Sequence, residues 1–235
     1  MYQLSPFVFA CNTGRNCMFL DLRRDRYISA PQPLMAALAP WITDWHLTST
    51  VPPIPPPNEI DVDKLLKDLL NAGILCTDRR PTVVSEPIPA ATHTGNAWLC
   101  RRRSADPPYT IRMRSILDLL RTDFSLRTVG LWRIVTGLSA RAEKLKTSSH
   151  PDLSNAAETL VSHFLAVRPW YPRDYLCLFD SLALMLFLLQ EGIRARLIFG
   201  VREDPFAAHC WVQYGSLVLN DYFDRTRLYT PIMAI

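Results

Sequence analysis

No CxxC pair occurs among the six cysteines, Cys11, Cys17, Cys76, Cys100, Cys177 and Cys210, so the ligand spacing of a zinc site is missing and no metal is expected. No apolar run can span a bilayer, which takes about 20 residues. The most apolar one, SLALMLFLLQ, lies between Asp180 and Glu191. No basic stretch precedes the apolar residues of the opening MYQLSPFVFACNTGRN, so no export signal is expected. A cytoplasmic location with reduced thiols follows. No internal repeat is visible. Glycine is scarce, with 8 residues against 19 prolines, which points to stiff connections.

What remains is an ordinary globular composition. The chain has 235 residues, 49% hydrophobic and 20% charged, enough for one good core or two small domains. The net charge of +4 is uneven. Residues 79–150 carry 13 basic and 5 acidic side chains, while both flanking segments are slightly acidic. Such a basic middle suits an acidic peptide, a partner protein or nucleic acid, and equally a solvated helix face.

The first segment reads as strands followed by helices. FVFAC and CMFLDL are short apolar runs joined by the turn NTGRN, and LRRDRYIS turns at Arg24-Asp25 into a third strand. PQPLMAALAPWITDW reads as helical turns broken by Pro40, and VPPIPPPNE as a loop. DVDKLLKDLLNAGILCTD reads as a helix capped by Asp61, striped by Leu65, Leu66, Leu69 and Leu70 and stopped at Gly73, leading into a short strand. This order predicts a small winged-helix-like domain over residues 1–80. Residues 81–110, proline-punctuated and basic, read as a linker. Residues 111–235 then form a second domain. TIRMRSILDLLRTDF, SLRTVGLWRIVTGLSARAEKLK and HPDLSNAAETLVSHFLAV carry helical spacing. A long apolar helix stopped near Gly192 follows, then the strands RARLIFGV, HCWVQY and LVLND, the last two joined at Gly215-Ser216. The fold class is α+β, with a helix packed on an antiparallel sheet.

Three residues of this second domain suggest one chemistry. With Asp174 as N-cap, Cys177 falls at the third helical position, where unpaired N–H groups and the helix dipole favour the thiolate that attacks carbonyl carbon. A buried small hydrophobe is the other reading of a free cysteine. A nucleophile needs a base and a group to orient it. His209 and Asp221 lie on neighbouring strands of the expected hairpin and can meet across the ladder. Strand parity puts His209, Trp211 and Gln213 on one face and turns Cys210 to the other. Asp224 and Asn220 are alternative orienters. Asp180, at i+3 from Cys177, can touch the site, and Trp170 and Tyr175 can line a subsite before it. His46, His93, His150 and His163 sit in loop-like, terminal or mid-helix contexts.

The run YLCLFDSLALMLFLLQEGIRARLIFGVREDPFAAHCWVQYGSLVLND resembles the transglutaminase-like cysteine protease of lasso peptide biosynthesis, the B protein. The likeness lies in a Cys-Leu…Ser-Leu-Ala-Leu helix, a Gly-Val-Arg strand end, an Ala-His-x-Trp strand and a terminal Asn-Asp, over residues 168–225. Cys210 and Asp180 depart from the family pattern. The first 80 residues resemble the leader-peptide recognition element fused to some members. The resemblance implies a papain/transglutaminase-like domain that cleaves leader from core in a lasso precursor peptide. Cys177 would be the nucleophile, His209 the base and Asp221 its orienter. The leader would add to an exposed strand edge at Asp25–Ser29, through Tyr27 and Ile28. It also implies an asparagine-synthetase-like lasso cyclase as partner, through which alone ATP would enter; no bound cofactor is expected. Acyl transfer to an amine on the same triad, and a non-catalytic leader-binding module, are the alternatives. Nucleic acid is not expected as a partner, because the RRR at 101–103 falls in the linker and not on the Asp61–Ala72 helix.

Overall fold

The computed structural model describes residues 1–43, 60–77, 85–88, 90–99, 106–145 and 151–235. The proline-rich loop expected at 51–59, and His46, Cys100, Arg101–Arg103 and His150, lie outside the described residues.

The chain opens with a two-residue strand, β1 (Gln3–Leu4), and then a three-stranded antiparallel sheet: β2 (Val8–Asn12), β3 (Asn16–Asp21) and β4 (Arg26–Pro31). The first turn uses Gly14 at φ 109°, with its N–H donating to the Asn12 side chain at 2.8 Å. The second places Asp25 at φ 49° and is tied by the Asp21 carboxylate, which accepts the N–H groups of Arg23 and Arg24. β4 pairs with β3 alone and forms the sheet edge. Two helices follow, α1 (Gln32–Leu38) and α2 (Val62–Asn71), and β5 (Leu75–Cys76) returns to pair with β1. Asp61 caps α2 by accepting the Lys64 N–H at 2.9 Å, and Gly73 ends it at φ 72°, both as the sequence suggests.

Both faces of this sheet are buried. Val8, Cys17 and Phe19 pack with Met35, Leu38, Leu66 and Leu69 of the two helices. Phe9, Cys11, Met18 and Leu20 join the larger core of the C-terminal half. At the seam, Thr13 donates to Glu203 at 2.9 Å, Asn16 hydrogen-bonds the same carboxylate, and Tyr27 meets Phe206 edge-on at 5.8 Å.

The C-terminal half is built on a five-stranded sheet in the order β10-β7-β8-β9-β6. Its strands are β6 (His93–Thr94), β7 (Arg196–Arg202), β8 (Ala207–Tyr214), β9 (Leu217–Val218) and β10 (Thr230–Ala234). Helix α7 (Cys177–Gln190) packs on it, and α4 (Tyr109–Thr128), α5 (Leu131–Lys144) and α6 (Pro151–Val167) pack on α7. Ten of the 14 residues of α7 are buried, so it is the central helix and its apolar run needs no membrane. Among the described residues, no helix is long and apolar enough to cross one.

Two sequence expectations change here. α4 does not stop at Phe124. It continues to Thr128, and Gly130 at φ 86° makes the break before α5. Nor are residues 85–99 only linker. β6 pairs in parallel with β9, the short helix α3 (Asn96–Leu99) packs on α6, and Glu86 bridges Arg194 at 2.6 Å and Arg196 at 2.9 Å.

Candidate active site

α7, β8 and the turn after β9 converge on one cleft of about 650 Å³. Cys177 is the first residue of α7, not the third, and Leu176 is the N-cap. Asp174 lies before the cap and does not cap it. Instead Asp180 reaches back from the first turn and accepts the Leu176 N–H at 2.9 Å. The cause is Arg168, whose guanidinium is 1% exposed. It pairs with Asp180 and donates to the carbonyls of Tyr171, Arg173 and Asp174 at 3.3, 3.0 and 3.0 Å. Those bonds hold residues 171–174 in a bend outside the helix, with the Arg173 N–H on the Tyr171 carbonyl at 2.8 Å, so the helix does not begin at Asp174.

His209 and Asp221 are both buried, and their side chains share a hydrogen bond from His209 Nε2 to Asp221 Oδ2. They do not meet across a ladder. β9 ends at Val218, and the cross-strand partner of His209 is Gly200 on β7. Asp221 arrives from the turn beyond the strand, with its other oxygen accepting the Tyr222 N–H at 2.7 Å. The Arg225 Nε stands 3.9 Å from Oδ2. The imidazole is walled by Trp211 at 6.0 Å and Tyr229 at 5.1 Å between ring centroids. Gly200 allows that wall: a Cβ there would lie 2.9 Å from the Trp211 ring and 3.0 Å from the Tyr229 Cβ.

Cys177 is exposed and lines the cleft with His209, Cys210 and Asp221. Its thiol is lowered to about 4. The largest cause is the hydrogen bond from the Cys210 side chain; burial opposes it, and His209 and the Cys210 main chain add to it. For His209, burial pushes the imidazole down, but hydrogen bonds to Asp221 and Cys177 outweigh it and raise the ring to about 9. Between these values the pair is a thiolate beside an imidazolium, the form suited to attack on a carbonyl and protonation of a leaving amine. With Nε2 held by Asp221, Nδ1 is left for the sulphur.

The family model described as the transglutaminase-like superfamily matches residues 116–234, which include Cys177, His209 and Asp221. The chain belongs to the transglutaminase-like superfamily. A 45-residue stretch is 47% identical to the Microcin J25-processing protein McjB of Escherichia coli. It covers 19% of this chain and 22% of that protein's length. No solved structure matches the chain significantly.

Within this transglutaminase-like unit, several expected neighbours take other places. Cys210 does not face away; it lines the cleft and its thiol, hydrogen-bonded to Cys177 and buried, is held well above the ordinary range. Asp180 also lines the cleft, with one oxygen engaged by Arg168 and the other by the Leu176 N–H, so it braces the helix start. Tyr175 lies on the cleft with the Arg168 guanidinium 4.4 Å from its ring. Trp170 is 84% exposed and outside the cleft lining. Asp224 pairs with Arg227 at the surface, away from His209. Asn220 bonds Val212 and Ser181, not His209.

The two candidates in the N-terminal sheet point opposite ways. Ile28 packs toward α1 and α2. Tyr27 faces the larger core, where burial and then the charges of Cys210, Asp25 and Cys177 push its phenol up. A groove of about 890 Å³ runs along the seam, lined by Arg15, Met18, Tyr27, Ser29 and Phe206 among others. Sequence reasoning missed Arg168, because arginine is seldom buried and nothing local marks one that is. It also missed the apolar side of the cleft, made by Trp98, Phe164, Leu165 and Leu184 from three helices that only the tertiary fold brings together.

Proposed function

We propose that this protein is a cysteine peptidase that removes the leader from a lasso precursor peptide. The observation that carries the reading is the acidified thiol of Cys177 beside an imidazole held by Asp221, in a stretch similar to a protein named for processing microcin J25. Cys177 attacks the scissile carbonyl carbon, and the imidazolium of His209 gives its proton to the leaving amine. A thioester remains on Cys177. His209 then takes a proton from water, the resulting hydroxide attacks the thioester, and the thiolate is released with the second peptide. Asp221 fixes the ring and stabilises its cation. The main-chain N–H of Cys177, at the helix start, faces the developing oxyanion.

Tyr175 and Trp170 flank the segment before the nucleophile and would meet the substrate there. The free edge β4, with Tyr27 on its protease-facing side and Ile28 toward the helices, would take the leader as an added strand, in a winged-helix-like recognition unit. The seam groove borders that edge at Tyr27 and Ser29. Holding the leader there raises the local concentration of the scissile bond. The partner would be an asparagine-synthetase-like cyclase in the cytoplasm, which would bring the ATP.

The experiment is incubation of the full chain with the lasso precursor encoded beside its gene, with and without the cyclase, read by mass spectrometry. Two fragments whose masses sum to the precursor plus one water are expected, and Cys177→Ala should yield none. Cleavage undiminished in Cys177→Ala would refute the reading. The superfamily match supports a second reading, acyl transfer to an amine. It predicts an amine adduct in place of one free acid.

A further inference from the structure

One hydrogen-bond network links the three segments that bring Cys177, His209 and Asp221 together. Ser181 lies one turn beyond Cys177 on α7 and is fully buried. Its hydroxyl donates to the Cys210 carbonyl at 3.1 Å. The same oxygen accepts the Asn220 side-chain N–H at 2.8 Å. The Asn220 side-chain carbonyl accepts the Val212 N–H at 2.7 Å. Cys210 directly follows His209, and Asn220 directly precedes Asp221.

The ladder explains why an amide stands at 220. β8 and β9 pair at Tyr214↔Leu217 and Gln213↔Val218, and the Leu219 N–H donates to Val212 at 2.9 Å. The next bond requires a carbonyl opposite the Val212 N–H. There the chain is already leaving the sheet, and the Asn220 side chain takes the place of the main chain. The strand thereby ends at Val218 without orphaning the Val212 N–H, and Asp221 is released to turn toward His209. The serine hydroxyl has one proton, committed to Cys210, so its partner must be a donor. Asparagine supplies both the acceptor for Val212 and the donor for Ser181. Aspartate would supply only the first.

We propose that Ser181 and Asn220 are positioning residues that hold His209 and Asp221 in register with Cys177, acting through the main chain at Cys210 and Val212. The proposal rests on those three residues forming one reacting group, not on the leader-peptide reading.

It is tested without a substrate. Iodoacetamide labelling of Cys177 in the full chain is followed by peptide mapping from pH 3 to 9, and the His209 ring is titrated by NMR. In the unaltered protein the labelling rate should already be level above about pH 5, a unit past the Cys177 value. Ser181→Ala and Asn220→Asp should each move the acid limb up by about 1 pK unit, which slows labelling at pH 3 by about tenfold, and should lower the His209 titration. Because the pair acts as a unit, Ser181→Ala combined with Asn220→Asp should cost little more than the worse single change. Ser115→Ala, at a buried serine on α4 outside the network, should leave both curves in place. Wild-type curves in Ser181→Ala and Asn220→Asp would overturn the proposal. So would equal shifts in Ser115→Ala, which would mark a general loosening. If Ser181→Ala does not fold, the near-isosteric Asn220→Asp decides. An unaltered protein whose Cys177 titrates like an ordinary thiol would refute the shared site itself, whatever happens to any precursor.

Discussion

The buried Arg168 and the partly buried Asp180 form an ion pair at the start of the helix that begins with Cys177. Removing one member of such a pair leaves an uncompensated charge. Arg168→Ala should therefore cost about 3–5 kcal/mol of stability, measured by urea denaturation, and should loosen residues 171–176 ahead of the nucleophile. Arg168→Lys should recover only part of this, because one ammonium cannot reach Asp180 and three carbonyls at once. A stability change under 1 kcal/mol in Arg168→Ala would contradict the role of this pair.

The reactive form should exist between two limits. Below about 4 the Cys177 thiolate takes up a proton, and above about 9 His209 loses the one needed by the leaving group. Cleavage is expected to follow a bell between those values. In the same protein, Cys11 and Cys17 are raised to about 12 and about 11, for both mainly by burial. Labelling at pH 6 followed by peptide mapping should thus find Cys177 modified and these two intact. A Cys177 that labels only above pH 8 would sink this expectation.

Asp221→Asn should keep the hydrogen-bonded shape but remove the charge that holds His209 protonated. Turnover is expected to fall by roughly 10³–10⁴-fold, with the His209 titration moving down. Asp224→Ala should leave turnover within about twofold, since its carboxylate is at the surface with Arg227. Comparable losses in the two variants would remove Asp221 from its assigned role.

Gly200→Ala places a methyl where Trp211 and Tyr229 close over His209. Strand backbone and two rings cannot give way cheaply, so the change should cost about 1–3 kcal/mol and disturb the imidazole. Comparing its His209 titration with that of Gly137→Ala, on α5 with open space around it, separates the local effect from a general one. Matching titrations in the two variants would argue against the aromatic wall.

The parts of the fold that follow from local pattern are legible in the sequence. The alternation of HCWVQY gives β8, and the cap and glycine of α2 stand where the side-chain chemistry demands. The order of Cys177, His209 and Asp221 is visible in the sequence, but the cap at Asp174 and the ladder that would bring them together are not what the fold uses. The site's details are not local. The start of α7 is set by Arg168, far from any cap rule, and the reach of Asp221 depends on a strand that ends early on a side-chain amide. Parity does set Cys210 on the opposite face of β8 from Trp211, but that face packs on α7, so Cys210 reaches the cleft from the helix side. In CMFLDL the consecutive apolar residues mark a strand buried on both sides, yet nothing in the run says what the second side faces.

That second side has a practical consequence. Phe9, Met18, Leu20 and Leu22 belong to the interior of the C-terminal half as much as to their own sheet. The sheet is a party wall between two rooms. Cutting the chain between them would strip an oily face bare on each piece, so neither half should stay monomeric on its own. Tyr27, on the edge strand of that wall, already leans on Phe206 of the second room.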